Sequence, residues 1–153
     1  MAKRLLPALL VAAALTAPAA AQERQWSLDA SGDDAYLIFG VPDTDDIGLS
    51  IWCPMQRGDI NIFLPEGPEN LEVDKDVTMT LATDDQTAEL AARTEANLEG
   101  GVTSVEARIG TDHPFLQAML KADRLKVKVA EVENVFPLFD ADLSGLMELC
   151  RKL

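Results

Sequence analysis

The chain carries two cysteines, and each lies on the apolar face of its own segment. Cys53 completes the alternation Ile47, Leu49, Ile51, Cys53, with Gly48, Ser50 and Trp52 on the opposite side, which is the period of a β-strand. Cys150 follows Leu143, Leu146 and Met147 at helical spacing in the closing segment 140–153. A strand thiol and a helix thiol aimed at one core predict a Cys53–Cys150 disulfide that staples the last helix to an early strand. The spacing does not suit a metal centre: there is no CxxC pair, and His113 is the single histidine.

A disulfide needs an oxidising compartment, and the start of the chain supplies a route to one. Met1-Ala2-Lys3-Arg4 is basic, 5–15 is apolar, and Ala19-Ala20-Ala21 closes the stretch with small residues. This is the layout of a signal peptide over 1–21, with cleavage after Ala21 and a periplasmic or secreted destination. No cysteine stands near the cleavage point to take a lipid anchor. Losing Lys3 and Arg4 takes the net charge from −13 to −15. Such acidity disfavours nucleic acid and anionic membrane surfaces as partners. No later run is long and apolar enough for a transmembrane helix.

The remainder, 22–153, has the patterning of one β-rich domain. Trp26, Leu28 and Ala30 alternate; 35–39 is apolar with strand formers on both faces; 47–53, 60–64, 77–82 and 102–109 follow. The composition of 86–98 favours a helix, but its hairpin-spaced turns and strand neighbours predict a strand over 86–95. Asp112 is the expected cap of a short internal helix with Pro114 in its first turn. Leu125, Val127 and Val129 alternate with Arg124, Lys126 and Lys128, and 132–138 is expected to continue that strand across a bend. These segments predict an antiparallel sandwich or partly open barrel of about eight short strands. A C-terminal helix over 140–153 completes it.

Residues that could carry chemistry have structural readings beside the functional ones. His113 as a base would need a positioned nucleophile, and Ser50 has no elbow motif around it. The pairs Asp33/Asp34, Asp45/Asp46 and Asp84/Asp85 fall in turns, where Asp bonds the nearby backbone. Asp140, Asp142 and Ser144 followed by Gly145 imitate the first half of a calcium loop, with Glu148 at its ninth position, but the twelfth position is Arg151. No metal or other cofactor is expected there; acidic residues at a helix start account for the pattern. Trp52 lies opposite the Cys53 face. In a two-sheet fold it enters a second core; left exposed, it becomes the best binding anchor, together with Tyr36 and the acidic turn Asp43, Asp45 and Asp46.

Trp26, the turn Gly40-Val41-Pro42-Asp43-Thr44-Asp45-Asp46, Leu49-Ser50-Ile51-Trp52-Cys53, and Phe136-Pro137-Leu138 before a helix with Cys150 form a layout. It resembles small, uncharacterised periplasmic proteins of Gram-negative bacteria. More loosely, it is similar to the periplasmic type VI secretion accessory proteins VasI and TagO, which also place one cysteine after an early strand and one near the end. The resemblance implies no active site. The expected role is therefore an exported, non-catalytic accessory or interaction domain whose partner is an envelope protein or another periplasmic ligand. A calcium-dependent binding module and a small hydrolase acting through carboxylates are the alternatives.

Overall fold

A computed structural model describes residues 23–97 and 101–153. The signal peptide expected over 1–21, with its cleavage after Ala21, lies outside them. Nine strands are present among the described residues: β1 (Gln25–Ser31), β2 (Asp34–Gly40), β3 (Ile47–Pro54), β4 (Asp59–Leu64), β5 (Asp76–Ala82), β6 (Thr87–Asn97), β7 (Val102–Gly110), β8 (Arg124–Val129) and β9 (Val132–Pro137). Helix α1 (Pro114–Met119) sits between β7 and β8, and α2 (Leu143–Cys150) follows β9. All nine strands belong to one antiparallel sheet in the order β1-β2-β3-β4-β7-β6-β5-β8-β9.

The sheet is β-rich and open, as the alternation foretold, and it is single. One face carries the core: Trp26, Leu37, Leu49, Ile51, Ile62, Met79, Leu81, Val105, Val127 and their neighbours are buried together. Both helices complete this inner side. Phe115, Leu116 and Met119 come from α1, and Leu143, Leu146 and Cys150 from α2, which packs on β2 and β3. The sheet curls until its ends meet. The indole Nε1 of Trp26 in β1 donates to the carbonyl of Pro137 at the end of β9, 2.5 Å away. Phe39 links the two sides, with ring centres 5.2 Å from Trp26 and 5.8 Å from Phe136.

The disulfide Cys53–Cys150 is formed, with Cα atoms 5.7 Å apart and 97 residues between them in sequence. Both cysteines are fully buried. The bond fastens α2 to the inner face of β3, and Gln56 and Gly58 in the β3–β4 turn donate backbone bonds to Leu149 and Cys150.

Several local details differ from the sequence expectation. β6 is a strand, but it runs to Asn97, beyond 95. Its Ala88, Ala92 and Thr94 are buried while Glu89, Ala91, Arg93 and Glu95 are exposed, so pairing on both sides overrides helix propensity. Residues 132–137 do not continue β8. They turn back on it through Ala130, whose φ of 50° makes the tight turn, to form β9. The cap of α1 is His113, not Asp112: its Nδ1 accepts from the Phe115 amide at 3.1 Å. The last helix is shorter than 140–153, because Asp142 caps it and accepts from the Gly145 amide at 2.9 Å.

Candidate functional site: the outer face of the sheet

Because the described strands form a single sheet, no further sheet among the described residues covers the side opposite the core. Trp52 is therefore not in a second core; it is half-buried on the outer face. Register places it in a transverse row, Tyr36 on β2, Trp52 on β3, Asn61 on β4 and Arg108 on β7, each opposite the next. Tyr36 and Trp52 stack, with ring centres 5.9 Å apart and planes inclined by 20°. Asn61 is only 2% exposed, and its Oδ1 accepts from Arg108 Nε at 3.2 Å.

A second row runs beside the first: Ile38, Ser50, Phe63, Glu106, Arg93 and Asp76, again paired strand by strand. Ile38 and Phe63 are half-buried and extend the apolar surface around Trp52. Arg93 pairs with Asp74 and Asp76, both at 3.7 Å. An apolar platform on β2–β4 thus passes directly into a charged and amide-bearing region on β7, β6 and β5.

Where that region begins, the surface dips. A depression of about 310 Å³ is lined by Asn61, Arg93, Glu95, Glu106 and Arg108. It shares Asp76 and Ala91 with a second of about 330 Å³, which shares Thr78 and Glu89 with a third of about 490 Å³ reaching Lys128. Ala91 in the middle has almost no side chain to fill the space. Together they form a trough across β4, β7, β6, β5 and β8. A larger depression of about 750 Å³ lies between Gln56, Arg57 and the terminal Lys152 and Leu153. Leu153 is 92% exposed, so that wall projects into solvent and is not a preformed site.

Electrostatics single out two groups on this face. Glu106 has its carboxyl pushed above the ordinary range, first by burial and then by the Glu95 carboxylate, with Arg108 opposing. The Tyr36 hydroxyl is raised by desolvation and by Asp34, to which it donates at 3.3 Å. It stays a neutral donor through the physiological range.

No protein-family model, curated protein or solved structure matches this chain.

The other sequence candidates are dispersed. Asp43, Asp45 and Asp46 occupy the β2–β3 hairpin loop, away from the Tyr36–Trp52 pair. There Asp46 accepts from Arg24 Nε at 2.9 Å, and the Thr44 hydroxyl accepts from the Asp46 amide at 3.1 Å. Leu143–Cys150 is helical, so Asp140, Asp142, Ser144 and Glu148 do not share an open loop. Asp142 is occupied as the cap, and the Ser144 hydroxyl donates to it at 3.2 Å. No group of three or more potential metal-ligating side chains clusters among the described residues. Ser50 on the outer face and His113 at the start of α1 belong to separate elements.

Asn61, Phe63, Arg93, Glu106 and Arg108 were not singled out from sequence. Alternation alone sets Asn61 and Phe63 opposite Ile60, Ile62 and Leu64. The β4–β7 pairing that brings Arg108 and Glu106 beside them has no local signal.

Proposed function

We propose that the protein is an exported, non-catalytic interaction domain of the cell envelope that binds its partner on the outer face of the sheet. The observation that carries this reading is the stacked Tyr36–Trp52 pair, half-buried, beside buried Asn61 and its Arg108 partner. Large aromatic side chains with polar tips are the usual anchors of binding surfaces. A sheet face that only needed solubility would carry charged or Thr side chains, as the β8 side does with Arg124, Lys126 and Lys128. The buried disulfide supports an oxidising destination. Among the described residues, no helix is long and apolar enough to cross a membrane.

The test is retention of periplasmic material on the immobilised mature protein and on a Tyr36→Ser/Trp52→Ser variant. Retention should depend on the two aromatics while the far-ultraviolet spectrum and the disulfide are unchanged. Equal retention by both proteins refutes this face as the interface.

One observation favours a second reading, a carboxylate-dependent hydrolase. Glu106 is held toward its protonated form beside Glu95 in the same trough, and an acid with a neighbouring carboxylate is the pairing glycoside hydrolysis requires. Release of reducing ends from cellohexaose, lost in Glu106→Gln, would establish it in place of simple binding.

A further inference from the structure

The shape and chemistry of the outer face narrow the partner. The backbone donors and acceptors of a strand point in the plane of the sheet toward its neighbours and not out of its face, so a ligand lying on this face meets side chains. An extended peptide laid here would leave its own amides short of partners; peptides instead add to sheet edges, where backbone groups are free. The trough carries both signs of charge in near balance: Arg93, Arg108 and Lys128 against Asp76, Glu89, Glu95 and Glu106. In a chain of net charge −13 this is a locally neutral strip rich in both donors and acceptors. It offers a polyanion no net attraction.

We propose, resting on the outer face as the interface, that its ligand is a neutral oligosaccharide chain lying across the strands. A sugar ring has an apolar C–H face and a rim of hydroxyls that both donate and accept. The first matches the apolar surface that the stacked Tyr36 and Trp52 rings make with half-buried Ile38 and Phe63 beside them. The second matches the guanidinium and carboxylate groups of Arg93, Arg108 and Glu106 in the adjoining depression, where buried Asn61 holds Arg108 in place. The trough continues through Ala91 and Thr78 to Lys128, so the ligand is a chain of several units, not a single sugar.

The experiment titrates the mature, disulfide-intact protein with cellohexaose, chitohexaose and maltohexaose to millimolar concentration and follows tryptophan emission. Trp26 is buried in the core, so the response reports Trp52. At least one hexamer is expected to change the emission, with its monomer binding much more weakly. By calorimetry, Trp52→Ala and Arg108→Ala should each weaken that binding by about tenfold or more. Trp52→Phe, which keeps a ring on the platform, should retain most of it and serves as the folding control. Calorimetric silence with all three hexamers overturns the oligosaccharide assignment. If retention of periplasmic material still depends on Tyr36 and Trp52 in that case, the interface stands without its proposed ligand. Hexamer binding equally strong in Trp52→Ala and Arg108→Ala overturns the assignment to this face.

Discussion

The indole of Trp26 on the first strand of the sheet is hydrogen-bonded to the carbonyl of Pro137 at the end of the last. One side chain therefore spans the gap that β1 and β9 leave between them, and Phe39 and Phe136 pack beside it. Trp26→Phe keeps an aromatic ring in the core and deletes the donor. We expect a loss of about 1–2 kcal/mol in urea unfolding, the cost of a net hydrogen bond with its acceptor left half-buried. Amide exchange should quicken first in β1 and β9. Unchanged exchange at both edges would show that the bond does not hold the sheet closed.

Reduction of Cys53–Cys150 should be slow in the folded protein, because both cysteines are fully buried. A Cys53→Ala/Cys150→Ala variant avoids that barrier. The bond closes a loop across most of the sheet, so chain entropy allows a stability loss of up to about 4–5 kcal/mol. Limited proteolysis should cut first within 140–153. A variant with wild-type melting and an uncut α2 would show that packing of Leu143 and Leu146 alone holds the helix.

Thr94 ties the connection before β5 to the sheet. Its hydroxyl donates to the Glu72 carbonyl at 2.7 Å and accepts from the Lys75 amide at 2.8 Å. The site is completely buried, so Thr94→Val keeps the shape and strands both backbone groups. The expected cost is about 1–3 kcal/mol, with faster exchange at the Lys75 amide.

Glu106 sets a pH dependence on the candidate site. Its folded pKa is raised, so the native state holds that proton more tightly than the unfolded chain does. Its contribution to stability is fully present below the ordinary Glu value of 4.5 and is lost as pH rises through the raised value. Glu106→Gln should therefore melt at a higher temperature than wild type at pH 7, with the difference vanishing in mildly acidic solution. A variant destabilised at pH 7 would mean that the attraction to Arg108 outweighs burial.

Asp142 provides a clean separation of capping from metal binding. Asn caps a helix about as well as Asp, whereas Ala does not. Asp142→Ala should cost about 1 kcal/mol and Asp142→Asn little, with or without calcium. A calcium-dependent rise in melting temperature that Asp142→Asn abolishes would restore the metal-loop reading.

Much of this fold was legible because a strand with one buried face writes its period into the sequence. Ile47 to Cys53, Val77 to Leu81 and Leu125 to Val129 all did so, and the two cysteine faces announced their own pairing. The number of sheets was not legible. Alternation puts Trp52 opposite Cys53 but says nothing of what lies beyond it, and the single sheet of the described strands leaves an expected core residue half-buried on the outer face. His113 displaced Asp112 as the helix cap because its ring nitrogen reaches the Phe115 amide, which depends on backbone direction and not on residue preference. Asn61 and Arg108 met only through the long-range register of β4 and β7.

That register also governs how the chain finds its structure. β1 to β4 pair in sequence order and can form as successive hairpins, as can β5 to β7. The seam between them joins Ile62 to Ala107, and a second distant pairing joins Leu81 to Val127. Such closures spend chain entropy before contacts repay it, which places refolding in the millisecond-to-second range of β proteins and not in the range of helical bundles. Until the seam zips, β4 and β7 each present a bare strand edge, Ile60, Ile62 and Leu64 on one and Val105, Ala107 and Ile109 on the other. Two half-folded chains can satisfy those edges on each other. Recovery of monomer from denaturant should therefore fall steeply as the protein concentration during refolding is raised.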